Sequence, residues 1–187
     1  GLWVLEQALL EHNRLIAKGF PPLRFSVNLS VVQFEGEDFI SDVAKIIKKS
    51  RVDPKYIEME ITESLFSKNP EEVLIKIYEL KKLGVHIAID DFGSGYSSYN
   101  RLKLVPFDSL KIDKAIIDYI DLEEEGAHLA ENIISLARIF GASVIAEGVE
   151  KKEQLNLLKS MACDEIQGYY FSRPLPPEAL EEFLKKE

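Results

Sequence analysis

The sequence predicts an α/β fold, a β/α barrel of parallel strands with helices packed outside it. Three observations carry this expectation. Strand-like and helix-like segments alternate along the whole chain, giving six strand–helix units after one leading helix. All six strand-like segments finish in a polar or charged residue. No Pro-, Ser- or Gly-rich linker interrupts the alternation, so residues 1–187 read as a single domain. Regular β-α alternation gives a mostly parallel sheet covered by helices. A β/α barrel surrounds its site with the C-terminal ends of its strands. An open α/β sheet binds instead at a switch point between two strands. Polar ends on six strands out of six favour the ring.

The elements follow in order. Leu2, Val4, Leu5, Leu9 and Leu10 form an apolar helical stripe that predicts a helix over 2–18, stopped at Gly19 with Pro21 and Pro22 beyond. A short strand is expected over 24–29 and a helix over 38–49. Residues 56–61 alternate apolar and acidic as a strand would. Pro70 suits a first helical turn and Gly84 a C-terminal stop, so a helix spans 70–83. Then come a strand over 86–90, a short helix over 96–102 and a strand over 109–112. A helix over 127–140 ends at Gly141, and a strand over 143–146 leads to a helix over 151–161. The last pair is a strand over 165–169 and a helix over 177–185.

Composition bounds the function. The formal net charge is −9, from 32 acidic and 23 basic residues. That excludes broad electrostatic binding of DNA or RNA, which needs a basic surface. A small phosphate ligand is compatible, because cations can bridge an acidic site to phosphate oxygens. Cys163 is the single cysteine, which excludes an intrachain disulfide and a Cys-based zinc site; it reads as a small buried hydrophobe. No apolar run is long enough for a bilayer span and no signal peptide opens the chain. A cytoplasmic domain without membrane contact of its own is expected, free or carried by a membrane-anchored parent. The apolar stripe starts at the first residue, without an initiator Met, as in a piece cut from a larger protein.

The strand ends carry the chemistry: Asn28, Glu60, Asp90 with Asp91, Lys111, Glu147 and Gln167. Helix capping accounts for Asp or Asn at a strand end. It does not account for Lys111 and Gln167, which are poor caps, or for Glu60 and Glu147, which lie well before their helices. Glu60, Asp90, Asp91 and Glu147 would place four carboxylates in one bowl. Such a cluster is costly without cations. Oxygen donors of this kind suit Mg²⁺ or Mn²⁺. His12, His86 and His128 fall outside the cluster, which disfavours a His-rich zinc site. Adjacent strand residues point to opposite faces, so Asp90 and Asp91 reach one site only if the chain bends there. Gly93 and Gly95 permit a bend and would let backbone N–H groups near Ser94 approach a phosphate.

Six motifs in order resemble the EAL domain: Ser26-Val27-Asn28-Leu29-Ser30, Glu60-Ile61-Thr62-Glu63-Ser64, the run from Asp90 to Ser98, Leu110-Lys111-Ile112-Asp113, Ala146-Glu147-Gly148-Val149-Glu150, and the run from Gln167 to Leu175. The resemblance implies a modified TIM-like barrel whose first strand is antiparallel to its neighbour. It implies a phosphodiesterase that opens cyclic di-GMP to linear pGpG with two Mg²⁺ or Mn²⁺ ions. By position, Asn28, Glu60 and Asp90 would ligate one ion, with Asp90 bridging to the second and Asp91 on that second ion. Lys111 would position or help activate the attacking water, and Glu147 and Gln167 would hold water. Glu63 would anchor the loop after Asp91, which the family uses for substrate and at a homodimer contact. Ser94 and Gly95 in that loop, Glu150 and the Arg173-Pro174 turn would line the substrate end. A catalytically inactive receptor of cyclic di-GMP is the alternative in the same family. A GGDEF cyclase or sensor module is a common companion.

The Glu-Ala-Leu signature of the family precedes the Trp3-Val4-Leu5 helix and is not in this sequence; Glu6-Gln7-Ala8-Leu9 is not that signature. The expectation is a barrel lacking its first two strands, with weak metal binding, little activity on its own and two exposed sheet edges that favour association.

Overall fold

The computed structural model describes residues 1–62, 64–65, 69–93 and 102–186. The leading helix α1 (Leu2–Ala17) buries Leu5, Leu9, His12 and Leu15, one stripe at helical spacing. Six strands follow: β1 (Phe25–Asn28), β2 (Ile57–Thr62), β3 (His86–Phe92), β4 (Ser109–Ile112), β5 (Ser143–Ala146) and β6 (Glu165–Ile166). They form one sheet in chain order, with every neighbouring pair parallel. Between them run α2 (Val31–Phe34), α3 (Phe39–Ser50), α4 (Pro70–Lys82), α5 (Lys114–Ile117), α6 (Glu124–Phe140) and α7 (Lys152–Ser160). Helix α8 (Pro177–Leu184) follows β6. Arg14 and Lys18 at the end of α1 both pair with Glu181 of α8, so the first and last helices are tied together.

The sheet has two chemically distinct faces, because strand side chains alternate and paired residues share a face. One face carries Val27, Ile57, Met59, Ile61, Ile87, Ile89, Leu110, Ile112 and Val144, all buried in one cluster with the apolar stripes of the helices. The other carries Ser26, Asn28, Glu58, Glu60, Asp90, Ser109 and Lys111. Two contacts show that the polar face is concave. Lys111 of β4 reaches Glu60 of β2 across the intervening strand. Arg24, just before β1, reaches Glu165 of β6 at 3.6 Å, which brings the two outer strands together. The sheet is therefore an arc of six parallel strands with helices on its convex side, part of a TIM-like barrel.

All six strands fall where the alternation places them. Strand β6 is shorter than expected, two residues rather than five, because the chain turns at Gly168. A Cβ there would lie 2.1 Å from the Val149 carbonyl oxygen, and Tyr170 N–H donates back to that carbonyl. Helix α6 begins three residues earlier than expected, with Glu124 and Glu125 favourably placed in its first turn. The sequence pattern did not anticipate α2, a 3₁₀ turn at Pro54–Tyr56, or α5. Each is opened by a side-chain cap, from Ser30, Asp53 and Asp113 respectively, and is too short to show a period. The short helix expected over 96–102 lies outside the described residues, apart from its last position. None of the described helices is long and apolar enough to cross a membrane.

Candidate active site

The concave face delivers its charged side chains to the C-terminal rim of the arc. Lys111 is the centre. It is 3 % exposed, and its Nζ lies 2.6 Å from Glu60 Oε1, 2.7 Å from Glu147 Oε1 and 3.4 Å from Asp90 Oδ1. Three strands and the segment after β5 thus converge on one ammonium. Burial alone would disfavour the charge on Lys111, but the hydrogen bonds to Glu147 and Glu60 outweigh it and hold the pKa above the ordinary lysine value. Burial pushes the Glu147 carboxyl above its usual range, and Lys111 offsets only part of that.

The two adjacent aspartates reach this site by a β-bulge. Ile89 pairs with Leu110 and Phe92 with Ile112, so Asp90 and Asp91 together lie opposite Lys111 alone. The bend expected of the glycines is made first by Asp91 itself, at φ +55°. Aspartate enters this left-handed region more readily than most side chains, at a cost of about 1 kcal/mol. Asp91 N–H donates to Asp90 Oδ1 at 3.0 Å, which fixes the pair. Gly93 continues the turn at φ +101°, where a Cβ would sit 2.3 Å from Ile116 Cδ1. Burial, then the neighbouring Asp90 and Asp113, raise the Asp91 pKa, and Lys111 opposes them. Asp113 was not among the residues expected here. It caps α5 through Ala115 N–H, and its charge bears on Asp91. Its place in the Leu110-Lys111-Ile112-Asp113 motif, two residues after Lys111, was the available signal.

Asp90, Asp91 and Glu147 each offer a carboxylate oxygen, and these oxygens lie within 4.8 Å of one another. An all-oxygen, acid-rich set fits a hard divalent cation such as Mg²⁺ or Mn²⁺. No histidine belongs to the group. His12 is buried on α1 between the rings of Phe25 and Tyr56.

The remaining expected residues are placed less centrally. Asn28 is in register with Glu60, and Leu29 N–H donates to the Glu60 carbonyl, which sets Asn28 on the concave face at the rim. Gln167 follows β6; its N–H bonds the Ala146 carbonyl, and its exposed side chain borders an open hollow with Phe171 and Phe183. Glu150 pairs with Lys114 of α5 at 3.0 Å. The Arg173 guanidinium lies 5.0 Å over the Tyr169 ring, and Pro174 beside it is exposed. The contacts of Glu150 and Arg173 thus lead to Lys114 and Tyr169 rather than into the carboxylate cluster. Glu63, Ser94 and Gly95 lie outside the described residues.

The sequence profile of the EAL domain matches residues 1–174. The chain belongs to the EAL domain family. Among curated relatives, this EAL domain is 37 % identical to the signaling protein YkoW of Bacillus subtilis over 184 residues, 98 % of this chain and 23 % of YkoW. It is 36 % identical to the cyclic di-GMP phosphodiesterase NbdA of Pseudomonas aeruginosa, over 98 % of this chain and 23 % of that protein. The chain therefore spans under a quarter of the length of these relatives. Among solved structures, the PaMucR phosphodiesterase in complex with c-di-GMP superposes with a TM-score of 0.91 at 33 % identity, over 96 % of this chain and 73 % of that one.

Proposed function

We propose that the full gene product, through the EAL domain read as one unit over residues 1–187, hydrolyses one phosphodiester of cyclic di-GMP to give linear pGpG. The observation that carries the reading is the Lys111-centred bowl, in which Glu60, Asp90 and Glu147 surround one buried ammonium. The names of NbdA and of the c-di-GMP complex of PaMucR supply the substrate and the reaction.

Asn28, Glu60, Asp90 and Asp91 would hold two Mg²⁺ or Mn²⁺ ions. Bound there, these ions supply a nucleophile at neutral pH and neutralise charge on the attacking and leaving oxygens. Lys111, beside Glu60, Glu147 and Asp90, positions or helps activate the attacking water and brings a positive charge close to the phosphate. Glu147 and Gln167 orient the attacking water in line with the scissile bond. The water oxygen bonds to phosphorus as the bond to one ribose 3′ oxygen breaks, and the proton passes to the departing hydroxyl. By the family resemblance, Glu63 would anchor the loop after Asp91, and Ser94 and Gly95 would contact substrate. Glu150, Arg173 and Pro174 line the substrate end, with Glu150 beside Lys114. The domain acts in the cytoplasm, as a homodimer and beside a GGDEF or sensor module.

The test is chromatography of cyclic di-GMP incubated with the full gene product and Mg²⁺ or Mn²⁺. Release of pGpG is expected. Tight binding without release assigns the receptor role instead, and neither binding nor release refutes both.

A further inference from the structure

Beneath the carboxylate bowl lies a second polar layer. Ser26, Glu58, Ser109 and Glu165 precede Asn28, Glu60, Lys111 and Gln167 by two positions each. A strand repeats every two residues, so each stands one step below its partner on the concave face. Glu58 is the hub. It is 1 % exposed, and it accepts hydrogen bonds from Ser109 Oγ at 2.6 Å, Ser26 Oγ at 2.8 Å and Arg24 Nη1 at 3.2 Å. Arg24 continues through Nη2 to Glu165 Oε1 at 3.6 Å. One network therefore touches β1, β2, β4 and the outer strand β6.

Filling space does not explain this layer. Burying a carboxylate is expensive, and replacing a buried ion pair by apolar side chains of similar volume is often neutral or stabilising. The network offers fixed lengths instead. The bond from Ser109 to Glu58 joins β4 to β2 across β3, and the Arg24 fork joins β1 to β6. Neighbour ladders set a general curvature through their twist and register, and links between strands that are not neighbours fix its value. One layer up, curvature decides how far Glu60 stands from Lys111.

We propose that Glu58 is a positioning residue: through Ser109, Ser26 and Arg24 it fixes the curvature that brings the carboxylates of the bowl together around Lys111. In its effect on metal binding the proposal rests on the metal-site reading above. The test compares the parent chain with Glu58→Gln and, separately, Ser109→Ala. Two quantities are measured: the Mn²⁺ dissociation constant, from the electron-spin signal of free Mn²⁺, and the nuclear magnetic resonance signal of the Lys111 ammonium in metal-free protein. Circular dichroism and a cooperative melt confirm the fold.

Glu58→Gln is expected to weaken Mn²⁺ binding about tenfold, as loss of a residue supporting metal ligands does, with a smaller loss for Ser109→Ala. The Lys111 signal should move in both variants. An unmoved signal with Mn²⁺ constants within about twofold of the parent overturns the proposal, whatever the melt shows. A parent that binds no Mn²⁺ refutes the metal reading, and the Lys111 signal alone then decides the role of Glu58. If Glu58→Gln does not fold, the same two measurements on Ser109→Ala decide.

Discussion

Lys111 Nζ stands 2.6 Å from Glu60 Oε1 although their strands are separated by a third. That single approach reports both the curvature of the sheet and the charge balance of the site. Lys111 and Glu60 are 3 % and 5 % exposed, so neither charge can be satisfied by solvent.

Removing the ammonium leaves buried carboxylates facing one another. In metal-free buffer at neutral pH, Lys111→Met is expected to lose about 3 kcal/mol of stability, the usual cost of breaking one side of a buried pair. Urea denaturation measures it. The loss should shrink in acid, where Glu147, whose carboxyl burial holds above its usual range, can take up a proton.

The raised pKa of Glu147 gives a pH dependence of defined sign. The folded chain holds this proton more tightly than the unfolded chain, whose carboxyl titrates near the ordinary value of 4.5. Metal-free stability should therefore fall as pH rises from that value through the raised one. Glu147→Gln should flatten this part of the curve. Melting temperatures across mildly acidic pH, parent against variant, check it; curves that stay parallel contradict it.

Asp91 separates backbone from side-chain effects. Asp91→Gly removes the cost of φ +55°, about 1 kcal/mol. It also removes a carboxylate that burial and Asp90 hold at a raised pKa. The metal-free variant is expected to melt no lower than the parent while binding Mn²⁺ more weakly, as read by calorimetric titration.

Gly168 is a steric requirement of the turn after β6. A Cβ there would meet the Val149 backbone, whose oxygen and nitrogen are 2.1 Å and 2.3 Å away and cannot rotate aside as a side chain could. Gly168→Ala should cost about 2 kcal/mol or more and shift Gln167 from the rim. Denaturation measures the first effect, and loss of turnover at retained substrate binding the second.

The strands were legible because chemistry and geometry share one period. In Ile57-Glu58-Met59-Glu60-Ile61 the aliphatic side chains pack on helices and the acids line the hollow, so the alternation reveals strand and faces together. The acids at the strand ends were legible for the same reason. What stayed hidden depends on contacts between distant segments. Glu58 looked like one more alternating acid, because its partners Arg24, Ser26 and Ser109 meet it only after folding. The bend at Asp90-Asp91 was foreseen but not its agent, since the following glycines are the commoner cause of a turn. Asp113 was passed over because the helix it caps is too short to show a period in the sequence.

The central claim is that this bowl is a cation-dependent hydrolytic site, and steady-state cyclic di-GMP hydrolysis by the gene product tests it most directly. Parent protein should release pGpG only when Mg²⁺ or Mn²⁺ is present, and Asp90→Asn and Lys111→Ala should each slow release by about a hundredfold or more. Release at the parental rate from both variants would contradict the account.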